Sequence, residues 1–168
     1  MYAAAVDAGV ELVASYGLFV LLVVFVLEGA LVGKLIPTRT LFVATVLAVG
    51  SDAFGLLSVA AVAVVGATFG QLLLFALVRR TELPVESLPG PADSSDGGRL
   101  FDWFDRWGMF AVALSNALPL ARGSLTVPVA LSDENALRFS ASSLVGSSVY
   151  AAGLVGIAAG VDAAIAFL

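Results

Sequence analysis

The sequence predicts an all-α integral membrane protein: a helical bundle with two pseudo-repeated re-entrant hairpins, each followed by a long Gly/Ser/Ala-rich transmembrane helix. Three observations carry this prediction. Of 168 residues, 60% are hydrophobic and only 12% are charged. A soluble domain carries about 25% charged residues, so the excess apolar surface has to face lipid. Charge-free runs occupy residues 12–27, 53–78 and 139–161. Two further apolar stretches are each broken by proline and a charge.

The elements follow in order within one transmembrane domain, residues 1–168. Residues 12–27, LVASYGLFVLLVVFVL, read as the first transmembrane helix. A span needs about 20 mostly apolar residues, so this run needs flanking residues or a thinner crossing. The stretch before it carries Asp7 and Glu11 and no basic n-region, so it does not read as a cleavable signal and the run is expected to be retained. Residues 28–51 hold Glu28, Lys34, Pro37 and Arg39 and are expected to form re-entrant hairpin 1. Residues 53–78 give the second transmembrane helix, and 79–99 a polar loop rich in Pro, Gly, Ser and acids. Residues 100–107 read as an interfacial amphipathic helix anchored by Trp103, Phe104 and Trp107. Residues 108–132, interrupted by Asn116, Pro119, Arg122, Gly123 and Pro128, form re-entrant hairpin 2, and 136–165 the last transmembrane helix. Irregular backbone at membrane depth is tolerated only where protein or a water-filled cavity surrounds it. Two ordinary kinked helices are the alternative.

The two broken stretches resemble each other. LIPTRTLFVATVLAV, residues 35–49, and ALPLARGSLTVPVAL, residues 117–131, share an aliphatic residue, proline, a short gap, arginine and an apolar run. Pro37 and Pro119 are the expected hairpin-breaking residues. The long helix after each stretch carries small residues at four-residue spacing, with Gly66, Gly70, Gly146 and Gly156 as candidate packing positions. Internal repeats with interrupted helices are a sequence trace of transporter folds, with the site near mid-membrane.

Charge excludes several functions. Thirteen acids face eight bases, of which one is lysine. An acidic surface nearly free of lysine resembles proteins that work in molar salt, where self-repulsion is screened. A merely acidic loop is the plainer reading, and neither suits nucleic acid. The loop's Arg79, Arg80 and Arg99, with nearby Arg106, place it in the cytoplasm by the positive-inside rule. Cysteine and histidine are absent, so disulfides, thiolate metal sites and histidine proton relays are excluded. No HExxH, GxSxG or GxxxxGK[ST] motif occurs, so no enzyme, metal or cofactor is expected.

From Glu28 to Gly160 the chain resembles the DedA family, also called the VTT or SNARE-associated family. Glu28 and Pro37 match its first acid and proline motif. GATFGQLLLFALVRR matches a glycine–aspartate–arginine stretch through Gly66, Gly70, Phe75, Arg79 and Arg80. GMFAVALSNALPLAR matches a proline–arginine stretch through Gly108, Pro119 and Arg122, and GSSVYAAGLVG matches the family's ending through Gly146, Tyr150 and Gly156. Arg39 stands where the family pattern has an acid, Gln71 where it has aspartate, Asn116 where it has arginine, and Ala130-Leu131 where it has Ala-Gly. The resemblance implies translocation of a polyprenyl phosphate or phospholipid, often linked to the proton gradient, in the plasma membrane as a multi-pass protein.

The residues themselves point to an anion site within the bilayer. An arginine at membrane depth costs at least about 2.5 kcal/mol, which makes it a functional candidate. Arg122 lies deep between apolar runs, and its donor fork suits phosphate. Arg39 holds the matching position of the first stretch, and Asn116 is a candidate for lining the same lipid-phosphate pocket. A structural bond to hairpin carbonyls is the alternative for Arg122, and snorkelling for Arg39. Glu28 is a candidate ion-pair partner or coupling group. The expected partners are membrane lipids, with a homo-oligomer left open. Transport of a small ion or solute, and a non-transporting scaffold, are the other two readings.

Overall fold

The computed structural model describes residues 11–12, 15–30, 37–49, 52–81, 102–119 and 121–166. Its labelled helices are α1 (Leu18–Gly29), α2 (Thr38–Val49), α3 (Ala53–Arg80), α4 (Met109–Ala117), α5 (Thr126–Leu131) and α6 (Ala136–Ala166). Residues 102–107 form a short helical segment ahead of α4. The described residues contain no strand.

Local chemistry sets the boundaries. Gly17 has φ 66°, so the helical residues before it are separated from α1. Glu28 and Gly29 therefore end α1 rather than opening a hairpin at residue 28. The expected hairpin over 28–51 falls partly on residues 31–36, outside the described residues; its second part is the continuous helix α2. Pro37 immediately precedes α2, and its carbonyl accepts from the Leu41 N–H at 3.0 Å, a place where proline's missing donor costs nothing. α3 runs to Arg80, so Arg79 and Arg80 extend the helix into the expected loop, the rest of which from residue 82 lies outside the described residues.

Asp52 caps α3, its Oδ2 accepting from the Gly55 N–H at 3.0 Å. Asp52→Ala is expected to lower stability by about 1 kcal/mol, read from the unfolding midpoint in detergent, with transport per folded molecule unchanged. Gly108, at φ 54°, separates the 102–107 segment from α4. Between α4 and α5 the described residues 118–119 and 121–125 are turns and bends, with Pro119 at the break and Gly123 at φ 74°. Pro128 fits inside α5 because it lies in the first turn, where its N–H would have no partner.

α1 packs along α3 and α4 along α6, and the two long helices pack against each other. α2 packs on α6, while α5 packs on α3, so each half lays its short helix on the long helix of the other. Large apolar side chains cover the outside of the bundle as well as filling its cores. On α3 the buried face holds Ala63, Gly66, Ala67 and Gly70, while Phe54, Leu57, Val65, Phe69, Leu73 and Leu77 are exposed. Small residues inside and large apolar ones outside are what lipid favours. At 28 residues α3 is about 42 Å long, more than the hydrocarbon thickness of about 30 Å. α3 and Ala136–Val161 of α6 are long and apolar enough to cross a membrane.

Two apolar cores form, one at each end of the long helices. The first gathers Leu74, Phe75 and Val78 of α3 with Val112, Leu125, Val129 and Phe139, and the Phe75 and Phe139 rings stack at 4.8 Å. The second gathers Val59, Ala63 and Ala67 with Phe25, Phe42, Tyr150 and Leu154, and the Phe25 and Phe42 rings meet edge to face at 6.1 Å. Between these cores both long helices carry buried polar residues: Gln71 on α3, Ser143 and Ser147 on α6.

Candidate functional site

The polar layer begins with an amide pair. Gln71 Nε2 donates to Asn116 Oδ1 at 2.8 Å, and Asn116 Nδ2 donates back to Gln71 Oε1 at 3.1 Å. Ser143 Oγ also donates to Gln71 Oε1. The Gly123 N–H, in the turn after α4, donates to Asn116 Oδ1 at 3.0 Å. Buried amides cost heavily when unpaired, and here each heteroatom has a partner. Gln71 and Asn116, two of the positions where the sequence departs from the pattern it resembles, thus touch each other as a neutral pair.

Arg39 and Arg122 come together on one tyrosine. Arg39 Nε donates to the Tyr150 hydroxyl at 3.1 Å, and its Nη2 donates to the Pro119 carbonyl at 2.6 Å. Arg122 lies over the Tyr150 ring, with its guanidinium carbon 4.0 Å from the centroid, and faces Phe25 at 6.0 Å. An arginine from α2 and one from the turn after α4 therefore share a single side chain of α6. Cation–π contact holds a guanidinium without neutralising it. Among the described residues neither arginine forms a salt bridge; the ion pair there, Arg138 with Glu134 at 4.0 Å, is exposed.

Arg122 Nε and Nη1 are buried and have no hydrogen-bond partner. The same holds for Thr126 Oγ1 in α5, Ser147 Oγ one turn before Tyr150, and Glu28 Oε2. Such groups are rare in folded proteins and mark places where a polar ligand or solvent completes the bonding. Glu28 is half-buried at the end of α1 and, among the described residues, forms no salt bridge with either arginine. Asn116, expected to line an anion pocket, spends its amide on Gln71 and Gly123.

The expected packing glycines divide. A Cβ on Gly66 would lie 2.9 Å from the Leu22 carbonyl oxygen, and one on Gly70 would meet the Val26 carbonyl. Gly146 is held against the Ala113 carbonyl and Asn116 Cβ. Gly156 is exposed and a Cβ there meets nothing within 4 Å, so it does not act as a packing position among the described residues. Tyr150 was missed as a site residue. Its signal is an aromatic ring set among the Ser, Gly and Ala of α6. No group of His, Cys, Asp or Glu among the described residues gathers as a metal site.

The chain is similar to undecaprenyl phosphate transporter A of Staphylococcus aureus, 23% identical over 154 residues that cover 86% of this chain and 74% of that protein. The likeness supports a membrane transporter. That relative is a transporter and not an enzyme, in agreement with the non-enzymatic reading of the sequence. No family model matches the chain. No solved structure matches it.

Proposed function

We propose that this chain is a DedA-like multi-pass transporter of the plasma membrane that translocates a phosphate-bearing lipid, a polyprenyl phosphate or a phospholipid. The observation that carries the reading is the meeting of Arg39 and Arg122 on Tyr150 without an acid in salt-bridge contact, with two Arg122 nitrogens buried and unused. An exposed arginine beside one whose Nε and Nη1 are buried attracts an anion, and an arginine's planar donors suit phosphate oxygens. The relative in Staphylococcus aureus, named as an undecaprenyl phosphate transporter, supports the choice of a lipid phosphate.

The reading includes an inverted pair of halves, each a hairpin and a long helix, meeting at the polar layer. The exchange of short helices between halves supports it: α2 lies on α6 and α5 on α3. Glu28, with its buried and unpartnered Oε2, is the candidate for coupling to an ion gradient.

The test is reconstitution into phosphatidylcholine vesicles at high salt, chosen because acids exceed bases thirteen to eight. Labelled polyprenyl phosphate and labelled phospholipid are offered separately, with and without a pH gradient. Translocation of either is the expected result, and the label that moves names the lipid. Folded protein that moves neither under any gradient overturns the reading in favour of solute transport or scaffolding.

A further inference from the structure

We propose that Gln71 and Asn116 are positioning residues: their amide pair fixes the turn that carries Arg122 and thereby sets the affinity of the arginine site for a lipid phosphate. This rests on the lipid-phosphate reading of that site.

The geometry supplies the reason. Arg122 Nε and Nη1 have no hydrogen-bond partner, so stacking on Tyr150 and the course of its own backbone set where the guanidinium sits. The backbone is held one residue away, where the Gly123 N–H is bonded to Asn116 Oδ1. Gly123 has φ 74°, which glycine adopts without steric cost but with more backbone freedom than other residues, so the bond of its N–H to Asn116 restricts where the turn sits. Asn116 is held in turn by Gln71 through two reciprocal bonds, and Gln71 by Ser143 of α6. The four groups tie α3, α4, α6 and the turn at one buried point.

The pair's neutrality matters to the site. An acid at this depth would offset part of the arginines' charge, whereas two amides position Arg122 and leave its attraction for an anion undiminished. Each amide nitrogen spends one of its two N–H groups within the pair. The pair's link to Arg122 is the bond that Asn116 Oδ1 accepts from the Gly123 N–H, so its effect on binding acts through the turn.

The discriminating variant is the double change Gln71→Leu with Asn116→Leu. Removing both members of a buried hydrogen-bonded pair is close to neutral for stability, whereas removing one leaves the other unsatisfied. Ser143 can return its hydroxyl to its own helix, as serines in helices do. The Gly123 N–H loses its acceptor, so the double variant is expected to fold with a modest loss of stability, and Gln71→Leu alone, which strands the Asn116 amide nitrogen, also to lose stability. In vesicles of phosphatidylcholine with labelled polyprenyl phosphate, the double variant should show a half-saturating concentration raised about tenfold, the size of losing one hydrogen bond to a charged group. Its maximal rate should stay within about twofold, the split expected when ground-state and transition-state binding weaken together. Hydrogen exchange at the Gly123 amide should quicken. The length exchange Gln71→Asn with Asn116→Gln, which restores an amide pair, should recover part of the affinity.

A folded double variant with wild-type half-saturation overturns the positioning role, as does a loss that tracks only the amount of folded protein. Wild-type protein that moves no polyprenyl phosphate overturns the choice of substrate itself, which the wild-type measurement distinguishes from failure of the pair.

Discussion

Arg122→Ala is expected to abolish translocation of the lipid phosphate while the protein stays folded. The reasoning starts from what the side chain does not do. Among the described residues its buried Nε and Nη1 have no hydrogen-bond partner and it has no salt bridge, so removal breaks no described hydrogen bond of the fold. What is lost internally is the stacking on Tyr150 at 4.0 Å. Relief from holding a cation among apolar groups offsets that loss, so the unfolding midpoint in detergent should equal the wild type's or exceed it. Binding is another matter. A hydrogen bond to a charged group contributes about 1.5–3 kcal/mol, so the loss of affinity should reach roughly 100-fold. Arg122→Lys should fall between, because it keeps the charge and loses the planar fork. The measurement is initial translocation rate against lipid-phosphate density, normalised to folded protein. A folded alanine variant transporting at the wild-type rate removes Arg122 from the site.

The converse logic applies to Arg39, which is already committed. Its Nη2 donates to the Pro119 carbonyl and its Nε to Tyr150, so it joins α2 to the turn after α4 as well as supplying charge. Pro119 thus both ends a helix and presents a carbonyl to the other half of the molecule. The sequence raised carbonyl bonding as the alternative for Arg122 and snorkelling for Arg39. It is Arg39 that bonds a carbonyl, and among the described residues no such bond is formed by Arg122 Nε or Nη1.

How much of this was legible in the sequence depends on the range of the interaction. α3 and α6 were legible because charge-free runs are a local signal. The start of α1 was missed because Gly17 sits inside an apolar run, and only its backbone angle reveals the break. Arg39 and Arg122 were found because a charge among apolar residues is visible in one dimension. The pairing of Gln71 with Asn116 was not, since 45 residues separate them and nothing local announces a partner. Taken singly, each looked like a weakened family position. Together they form a neutral pair whose members satisfy each other. Tyr150 stayed hidden for the same reason: its role depends on two arginines that arrive from opposite halves. Gly156 shows the opposite error, where spacing alone suggested packing on a face that carries no neighbour.

Gly70→Val is expected to have the largest effect on stability of any change in α3, more than about 3 kcal/mol, beyond the usual range for overpacking. α1 and α3 meet along a seam of three glycines: Gly66 faces the Leu22 carbonyl, Gly70 the Val26 carbonyl, and Gly29 of α1 the Ala67 carbonyl. In each case the neighbour is backbone, which cannot rotate away as a side chain would. A Cβ on Gly70 therefore forces the two helices apart, and a valine's branch at Cβ leaves few rotamers to escape through. Separation loosens the other two contacts as well, because all three lie on one line. It also reaches the site, since Gln71 follows Gly70 directly and its backbone nitrogen lies 3.0 Å from where a Cβ on Gly29 would be. Transport should be lost together with stability, unlike the Arg122→Ala case, where the two part company. Gly156→Ala supplies the internal comparison: its Cβ enters open space, and alanine is the better helix former by up to about 1 kcal/mol, so the change should be neutral or mildly stabilising. Titrating both variants and the wild type with a denaturing detergent, followed by the helical signal, separates the cases. A Gly70→Val protein as stable as wild type would mean that α1 and α3 are not held together by backbone contact along this seam.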